Sequence, residues 1–218
     1  ATRQLLAELS AAYAQQTGVR VDIESVGGVD AAKRVLAGEA FDVVFLATDA
    51  IDKLVQAGRI LADSKVDLAA SGVAVAVKKG VAHPDIASEA AVRSAVQAAP
   101  SLSYSTGPSG VALAKLFERW GIASEIQNRI VQAPPGVPVG TLVARGEVAL
   151  GFQQRSELIH LEGIDVLGPL PADIQITTIF SAGVCTDSAQ PDAVRALLGF
   201  MASPQADSAK RQQGMEPV

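Results

Sequence analysis

The sequence predicts an α/β fold made of two similar lobes, and three observations support this prediction. Helix-like and strand-like patterns alternate along the 218 residues, as in folds where helices cover a sheet. Hydrophobic residues make up 49% of the chain and charged residues 19%, which suits one or two domains with a sizeable core. One helix–glycine–strand pattern also occurs twice, about a hundred residues apart, and such repetition indicates related halves.

The predicted helices carry apolar residues three and four positions apart, and several of them end at a glycine. The first carries Leu5 and Leu9 on one face and ends at Gly18, because glycine readily adopts the left-handed conformation that follows a helix. Helices are predicted within residues 5–13, 31–37, 51–57, 111–120, 139–144, 192–201 and 205–213.

The predicted strands fall between these helices. Residues 19–23 alternate apolar and charged side chains, whereas residues 42–46 form the nearly continuous apolar run of a strand covered on both faces. Strands are predicted within residues 19–23, 42–46, 72–77, 102–105, 148–153 and 176–184. This βα order predicts parallel strands joined by right-handed crossovers.

The repeated pattern has glycines before a helix, a glycine–glutamate pair after it and then an apolar strand. In the first copy GGVD precedes the helix, AGE follows it and AFDVVF is the strand. In the second copy GVPVG, RGE and VALGF take these places. Two similar lobes explain the repetition, and so does chance similarity between common βα units; the sequence alone leaves both explanations open.

Composition excludes several classes of protein. The net charge of −5 argues against a nucleic-acid surface, which needs clustered Lys and Arg to displace counterions. No apolar run reaches the ~20 residues that span a bilayer. The single cysteine, Cys185, excludes an internal disulfide and a CxxC motif, and its apolar surroundings favour a buried structural thiol.

Catalytic and metal-binding signatures are weak. His83 lies in the turn-like AHPD and His160 in the helix-like ELIHLEG, so both are expected at the surface or in packing. No HExxH, HxH or acidic metal-binding cluster is present in the sequence. We therefore expect neither a metal ion nor a cofactor, and the sequence identifies no catalytic residue.

Four segments place Gly, Ser or Thr at a predicted helix start, where free N–H groups and the helix dipole favour an anion. These segments are residues 1–3, 27–28, 105–110 and 136–140. Ordinary helix capping is the competing explanation for each of them. The YSTGPSG segment is the strongest signal, and it matches neither a Walker loop nor a G-x-S-x-G elbow.

A polar run, QQRSE, directly follows the predicted strand at 148–153. Ligands of open α/β sheets lie beyond the carboxyl ends of the strands, where this run is expected. Its amides and Arg155 are therefore candidate ligand donors, unless the run is simply a solvated helix start. Arg3 has the same two explanations, and its planar guanidinium suits a carboxylate because it can bind both oxygens.

An ordered series of motifs resembles one known family almost from end to end. The motifs are TGVRV, VGG…AKRVLAGEAFDVVF, GVAVAVKKG, YSTGPSGVALAKLFERWGI, LVARGEVALGFQQRSE, GPLPADIQ, FSAGV and MASPQADSAKRQQGMEP. Together they resemble the periplasmic molybdate-binding-like solute-binding proteins of ABC transporters. The resemblance implies a two-lobed type II periplasmic binding protein fold with a central cleft for the ligand and a two-strand hinge. It places lobe one at 1–82 plus 173–218 and lobe two at 83–172.

The resemblance also implies where this protein is found and what it meets. We expect a periplasmic, monomeric protein whose leader, and the strand that usually precedes the first helix in this family, are absent from these residues. ABC permease subunits are the expected protein partners, and no nucleic acid is expected.

The residues that match the family's ligand contacts depart from its molybdate pattern. The first-helix serine matches Ala1 or nearby Thr2, the serine-rich loop matches the hydroxyl-free Gly27-Gly28-Val29, and the tyrosine matches Gln154. A larger or differently shaped anion is therefore expected. The candidate ligand residues implied by these matches and by the helix starts are Thr2, Arg3, Gly27, Gly28, Thr48, Ser105, Thr106, Ser109, Gly110, Val139, Gln154 and Arg155.

Three functions are compatible with these residues. The first is extracytoplasmic capture of a small anion, an oxyanion or a carboxylate, for an ABC transporter by hinge closure. The second follows from a branch of the family that resembles aconitate isomerase, which would interconvert trans- and cis-aconitate, a tricarboxylate, in the same cleft. The third is a ligand-sensing regulatory domain, which would require a DNA-binding helix-turn-helix that the sequence lacks. We expect a binding protein rather than an enzyme.

Overall fold

A computed structural model describes residues 1–134 and 137–218 of the chain. The helices are α1 Arg3–Thr17, α2 Gly28–Leu36, α3 Thr48–Gln56, α4 Glu89–Ala98, α5 Pro108–Arg119, α6 Ala123–Ile126, α7 Val139–Arg145, α8 Arg155–Leu158, α9 Pro191–Ala202 and α10 Asp207–Gln212. The strands are β1 Val43–Ala47, β2 Val66–Lys78, β3 Leu102–Tyr104, β4 Leu150–Gln154, β5 Ile164–Pro169, β6 Thr177–Val184 and β7 Glu216–Pro217. The α/β class predicted from the sequence is confirmed.

The chain forms two compact units. Unit 1 contains Ala1–Ser71 and Thr178–Val218, and unit 2 contains Gly72–Thr177. The chain passes from one unit to the other inside β2 and again at the start of β6. The lobe boundaries expected from the resemblance, near residues 82 and 173, lie in the loops beyond these strands and stay a prediction.

Unit 1 is built on β1, β6 and the first half of β2. β1 runs antiparallel to β6, with Val44 opposite Gly183, and β7 runs antiparallel to β2. α1, α9 and α10 pack on this sheet through a core that includes Leu9 and Met201. α2 and α3 enclose β1 in a second core. The first helix ends at Gly18, whose φ of 76° is left-handed, as predicted.

Unit 2 is built on β3, β4, β5 and the second half of β2. β3 and β4 are parallel, whereas β2 runs antiparallel to both β4 and β5. α4 and α5 cover one face through a core centred on Phe117 and Phe152. α7 covers the other face through Val139 and Val143. The sheet of unit 2 is therefore covered by helices on both sides.

The prediction of parallel strands is confirmed for one described strand pair and is wrong for the others. Of the strand pairs described above, β3 with β4 is parallel, and the pairs that involve β2 or join β1 with β6 are antiparallel. The sequence pattern gives the type of each element, but the direction of a strand depends on which neighbour it joins. β2 pairs with β4 and β5, which follow it only after long connections.

Residues 19–23 are not a strand, contrary to the prediction. The segment has no regular secondary structure, and Val19 and Ile23 remain 43% and 37% exposed. A strand needs a neighbour to which its backbone can bond, and no described strand pairs with this segment. Alternating side chains supply the propensity for a strand without supplying that neighbour.

The side chain of Gln175 bonds the backbone of Val73, which also bonds the backbones of Leu170 and Ile176. Gln175 Oε1 accepts the N–H of Val73 at 3.2 Å, and Gln175 Nε2 donates to the Val73 carbonyl at 3.2 Å. A Cβ built on Gly72 would lie 2.8 Å from Gln175 Nε2, so this approach favours glycine at position 72. The first residues of unit 2 are thereby bonded to its last ones.

Cys185 and His83 have the structural settings that their sequence contexts indicate. Cys185 is 5% exposed, and burial together with Asp42 and Asp187 raises the pKa of its thiol to about 11. His83 lies at the surface, with Nε2 3.1 Å from Asp165 Oδ2. In the described part of the chain, no helix combines the length and apolar character needed to cross a membrane.

Candidate functional site

The carboxyl ends of β3 and β4 lie side by side in unit 2. Their parallel register pairs Tyr104 with Phe152, so Ser105, the first residue after β3, lies level with Gln153, which is one residue before the end of β4 at the same edge of the sheet. This is the edge where ligands of open α/β sheets are bound.

The start of α5 carries hydroxyl groups that do not cap the helix. Ser105 Oγ and Ser109 Oγ are hydrogen-bonded to each other at 3.1 Å, and the N-cap residue is Gly107, which has no side chain to accept from the first turn. The first turn contains no acidic residue. α4 is different, because its N-cap Ser88 accepts the N–H of Ala91 at 3.1 Å. Ordinary capping therefore explains the serine at α4 but not the serines at α5.

Gly110 is required for the close approach of this loop to α5. A Cβ built on Gly110 would overlap the carbonyl oxygen of Ser105, and no flexible side chain is available to move away. Ser109 and Gly110 are buried, while Thr106 is exposed. The loop is thus folded over the first turn of the helix, with its hydroxyls beside the uncapped amides.

The start of α7 is held tightly against β4. Gly140 N donates to Gln153 Oε1 at 3.1 Å, a buried hydrogen bond. A Cβ on Gly140 would lie 2.5 Å from Leu161 Cδ1 and 2.9 Å from Leu158 Cδ2. Val139 is 1% exposed. One amide of the first turn of α7 therefore already has a protein acceptor, which reduces what this helix can offer to an anion.

Gln154 and Arg155 are the remaining candidate ligand residues of unit 2. Gln154 is 5% exposed, and Arg155, the first residue of α8, is exposed. Arg155 forms no ion pair with any residue of 1–134 or 137–218. Its guanidinium is therefore available to a ligand at the end of β4.

In unit 1, the start of α1 resembles the start of α5. Thr2 is the N-cap residue and makes no side-chain cap bond, and the first turn contains no acidic residue. Arg3 is exposed and has no ion-pair partner among the residues that the structure describes. A cation at a helix start opposes the helix dipole, so Arg3 gains from an anion bound there.

The starts of α2 and α3 are less suited to an anion. Gly28 lies beside the end of β1, since its Cβ position is 3.7 Å from Leu46 Cδ2, and Thr48 begins α3 at that end. The first turns contain Asp30 and Asp49 respectively. A carboxylate in the first turn already takes up the favourable interaction with the helix dipole. Gly27, Gly28 and Thr48 are thus gathered near one strand end, but beside negative charge.

A groove of about 470 Å³ at the opposite end of unit 2 is a poorer candidate. It is lined mainly by apolar residues such as Val77, Ala99 and Val148. The Lys78 ammonium lies 3.2 Å from the Cβ position of Gly146, at the carboxyl end of α7, where a cation is favoured. The groove also lies at the amino end of β4, away from the edge that binds ligands in such sheets.

The structure groups the sequence-predicted residues by unit, and it adds one more residue. Ser105, Thr106, Ser109, Gly110, Val139, Gln154 and Arg155 belong to unit 2, and Thr2, Arg3, Gly27, Gly28 and Thr48 belong to unit 1. Their role as ligand residues stays a prediction. Gln153 was predicted only as one of the amides of the polar run QQRSE, and it was not among the candidate ligand residues named one by one. Among the residues described, no three His, Cys, Asp or Glu side chains lie together so that they could hold a metal ion.

Comparisons with known proteins identify the family. A family model described as bacterial extracellular solute-binding protein matches residues 1–216. An aconitate isomerase from a Pseudomonas species is 40% identical over 217 residues, which cover 97% of this chain and 82% of that protein.

Solved structures show the same fold at low sequence identity. The periplasmic molybdate-binding protein of Azotobacter vinelandii has a TM-score of 0.81 and 22% identity, with 98% of this chain and 94% of that chain covered. The sulfate-binding protein of Mycobacterium tuberculosis H37Rv has a TM-score of 0.79 and 17% identity, with coverages of 99% and 83%. The chain therefore belongs to the bacterial extracellular solute-binding proteins, an extracytoplasmic family, and it has their two-lobed type II periplasmic binding protein fold.

Proposed function

We propose that this periplasmic protein captures a small anion, a carboxylate or another oxyanion, and delivers it to an ABC transporter. The observation that carries the proposal is the start of α5. There, two serine hydroxyls bond to each other rather than to the helix, above a first turn without a cap bond or an acidic residue. Such a turn offers free N–H groups and the positive end of the helix dipole.

In this proposal the anion receives donors from both units. Ser105, Ser109 and the amide of Gly110 act from unit 2, and Thr2 and Arg3 act from unit 1. Binding stabilises the arrangement of the units in which both sets reach the ligand, because a ligand shifts such an equilibrium only through its better contacts in one state. The permease subunits would then recognise that arrangement.

The available groups favour a polycarboxylate over a tetrahedral metal oxyanion. Gly27, Gly28 and Val29 supply no hydroxyl, whereas Arg3 and Arg155 offer guanidinium groups that suit planar carboxylates. The 40% identical relative is named for its action on aconitate. We therefore expect trans-aconitate and citrate to bind more tightly than molybdate or sulfate.

Isothermal titration calorimetry tests the proposal. The protein is titrated separately with trans-aconitate, cis-aconitate, citrate, molybdate and sulfate. We expect saturable binding of at least one tricarboxylate, with an affinity that falls as salt is added. If none of these anions produces heat or raises the melting temperature, the proposed function is wrong.

A second candidate function is isomerisation of aconitate, which the 40% identical relative favours. The reaction removes a proton from the methylene carbon and adds a proton to the alkene carbon on the other side of the central carbon. The double bond thereby shifts to the bond between the central carbon and the former methylene carbon. It requires an acid/base group at the ligand. Asp30 and Asp49 are the carboxylates that the structure places in the first turns of α2 and α3.

Chromatography separates the two functions. The protein is incubated with trans-aconitate, and the formation of cis-aconitate is followed over time. Conversion by the parent protein that is lost in Asp30→Asn or Asp49→Asn would establish the isomerase and its base. Binding without conversion would eliminate the isomerase and leave the capture function.

A further inference from the structure

Gln153 is a buried side chain whose amide is only half used by the protein. It is 5% exposed, and its Oε1 accepts the N–H of Gly140 at 3.1 Å. Because only the oxygen of an amide can accept from an N–H, this bond fixes which way the amide faces. Nε2 is therefore turned away from α7. Nε2 forms no hydrogen bond within residues 1–134 and 137–218, and it is not completely shielded from solvent.

The packing of α7 on β4 holds Gln153 in place. Gly151, two residues earlier on the same face of β4, leaves a gap that Val143 fills: a Cβ there would lie 2.5 Å from Val143 Cγ2. Ala74 on β2 lies opposite Gln153 and is too small to displace it. The orientation of the amide is thus built into the sheet and not left to a mobile surface side chain.

The unused N–H₂ group belongs to the same strand edge as the start of α5. The register of β3 and β4 brings Ser105 level with Gln153, one residue beyond the Tyr104–Phe152 pair. Ser105 is hydrogen-bonded to Ser109 in the first turn of α5. An N–H₂ group that has no protein acceptor is free to donate to an anion bound at this edge.

We propose that Gln153 is a specificity-determining residue of the anion site and donates from Nε2 to an oxygen of the bound anion. The assignment rests on the proposed function and adds a residue to it. A primary amide nitrogen donates and does not accept. Gln153 would therefore favour a deprotonated oxygen over a hydroxyl or ammonium group at that position of the ligand.

The Gln153→Glu variant tests this assignment. The two side chains have the same shape, so a carboxylate oxygen still accepts the N–H of Gly140, while the other oxygen replaces the donor with a negative charge. We expect the Kd for trans-aconitate at neutral pH to rise about 10- to 100-fold, as for loss of a hydrogen bond to a charged group. The melting temperature should stay the same or rise.

The pH dependence provides a readout that a structural role would not change. Once the introduced carboxyl is protonated, it can donate as the amide did. The ratio of the Kd of the variant to that of the parent should therefore fall towards one as the pH is lowered. Gln127→Glu is the matched control, since Gln127 is an exposed residue of the same unit, and it should bind as the parent does.

The outcomes distinguish a failure of the Gln153 assignment from a failure of the proposed function. If the parent binds trans-aconitate and Gln153→Glu binds it equally well, Gln153 only caps α7 and the assignment is overturned. If the parent binds none of trans-aconitate, citrate and molybdate, the proposed function falls and the assignment falls with it. If Gln153→Glu does not fold, Gln153→Met decides: it lacks any donor, so an unchanged Kd would overturn the assignment and a raised Kd would support it.

Discussion

The two copies of the repeated pattern share one backbone frame and differ at the start of the helix. α2 and α7 end alike, because Gly38 N bonds Val35 O and Glu39 N bonds Arg34 O, just as Gly146 and Glu147 bond two carbonyls of α7. Each helix then leads into a strand, β1 in unit 1 and β4 in unit 2. One copy lies in each unit.

The two copies differ in which group interacts with the first turn of the helix, where N–H groups are free and the helix dipole is positive. In unit 2 the strand supplies an amide oxygen, from Gln153, to the N–H of Gly140. In unit 1 the corresponding strand residue is Leu46, which packs beside Gly28, and the first turn of α2 carries Asp30 instead. The same helix–strand backbone therefore does not determine the chemistry at the strand end, which depends on one or two side chains there.

The largest expected effect concerns the glycines at the two helix starts. Gly140→Ala should lower the free energy of unfolding by about 1–3 kcal/mol, since the added methyl overlaps the side chains of Leu158 and Leu161, which must move aside. Gly28→Ala should be nearly neutral, because its new methyl meets Leu46 at an ordinary contact distance of 3.7 Å. Urea unfolding measures both. Equal losses would show that the two starts are packed alike.

A second prediction separates ligand hydroxyls from capping hydroxyls. Ser105→Ala and Ser109→Ala should each raise the Kd for trans-aconitate about tenfold, the factor for one hydrogen bond. Ser88→Ala removes the cap of α4 and should cost about 1 kcal/mol of stability without changing the Kd. Calorimetry and urea unfolding of the three variants give both quantities. If all three variants bind equally, the α5 hydroxyls are not ligand donors.

The smallest effect concerns the far end of α2. The Arg34 guanidinium bonds the carboxylates of Glu24 and Glu39 and lies 5.0 Å from the centre of the Phe41 ring. The hydrogen bonds from Arg34 lower the pKa of both carboxyls below the ordinary 4.5. A lowered pKa in the folded state adds stability above the ordinary value, and that stability is lost as the pH falls through the lowered pKa.

Arg34→Met should therefore be less stable than the parent at neutral pH, and this difference should shrink in acid. Urea unfolding at neutral and at acidic pH checks the direction. Arg20→Met is the control, because the Arg20 and Asp22 side chains are 84% and 77% exposed and such pairs contribute little. A difference that grows in acid would contradict the role given to Arg34.

Features that depend on neighbouring residues were predictable from the sequence. Gly18, Gly38 and Gly146 end their helices with positive φ, and each follows an apolar helical pattern. The helix α4 was missed, although Ser88 and the spacing of Val92 and Val96 signal it. Strand direction could not be predicted, because it depends on partners far along the chain.

The same distinction applies to the candidate site. The hydroxyls of YSTGPSG form a continuous motif, so their position at the start of α5 could be predicted. Gln153 depends on a bond to Gly140, thirteen residues earlier in the chain, and no local motif shows that bond. Alternation along β4 does separate Gln153 from Gln154, since adjacent strand residues face opposite sides of the sheet. That rule predicts that Gln153 faces α7, but it does not predict that Gln153 Oε1 accepts the N–H of Gly140.

The most direct test of the central claim is a crystal structure of the protein with trans-aconitate. We predict that a carboxylate of the ligand lies within hydrogen-bond distance of the amides of Ser109 and Gly110 at the start of α5. Ligand density in the apolar groove beside Val77 and Ala99, or anywhere that leaves the start of α5 empty, would contradict the account.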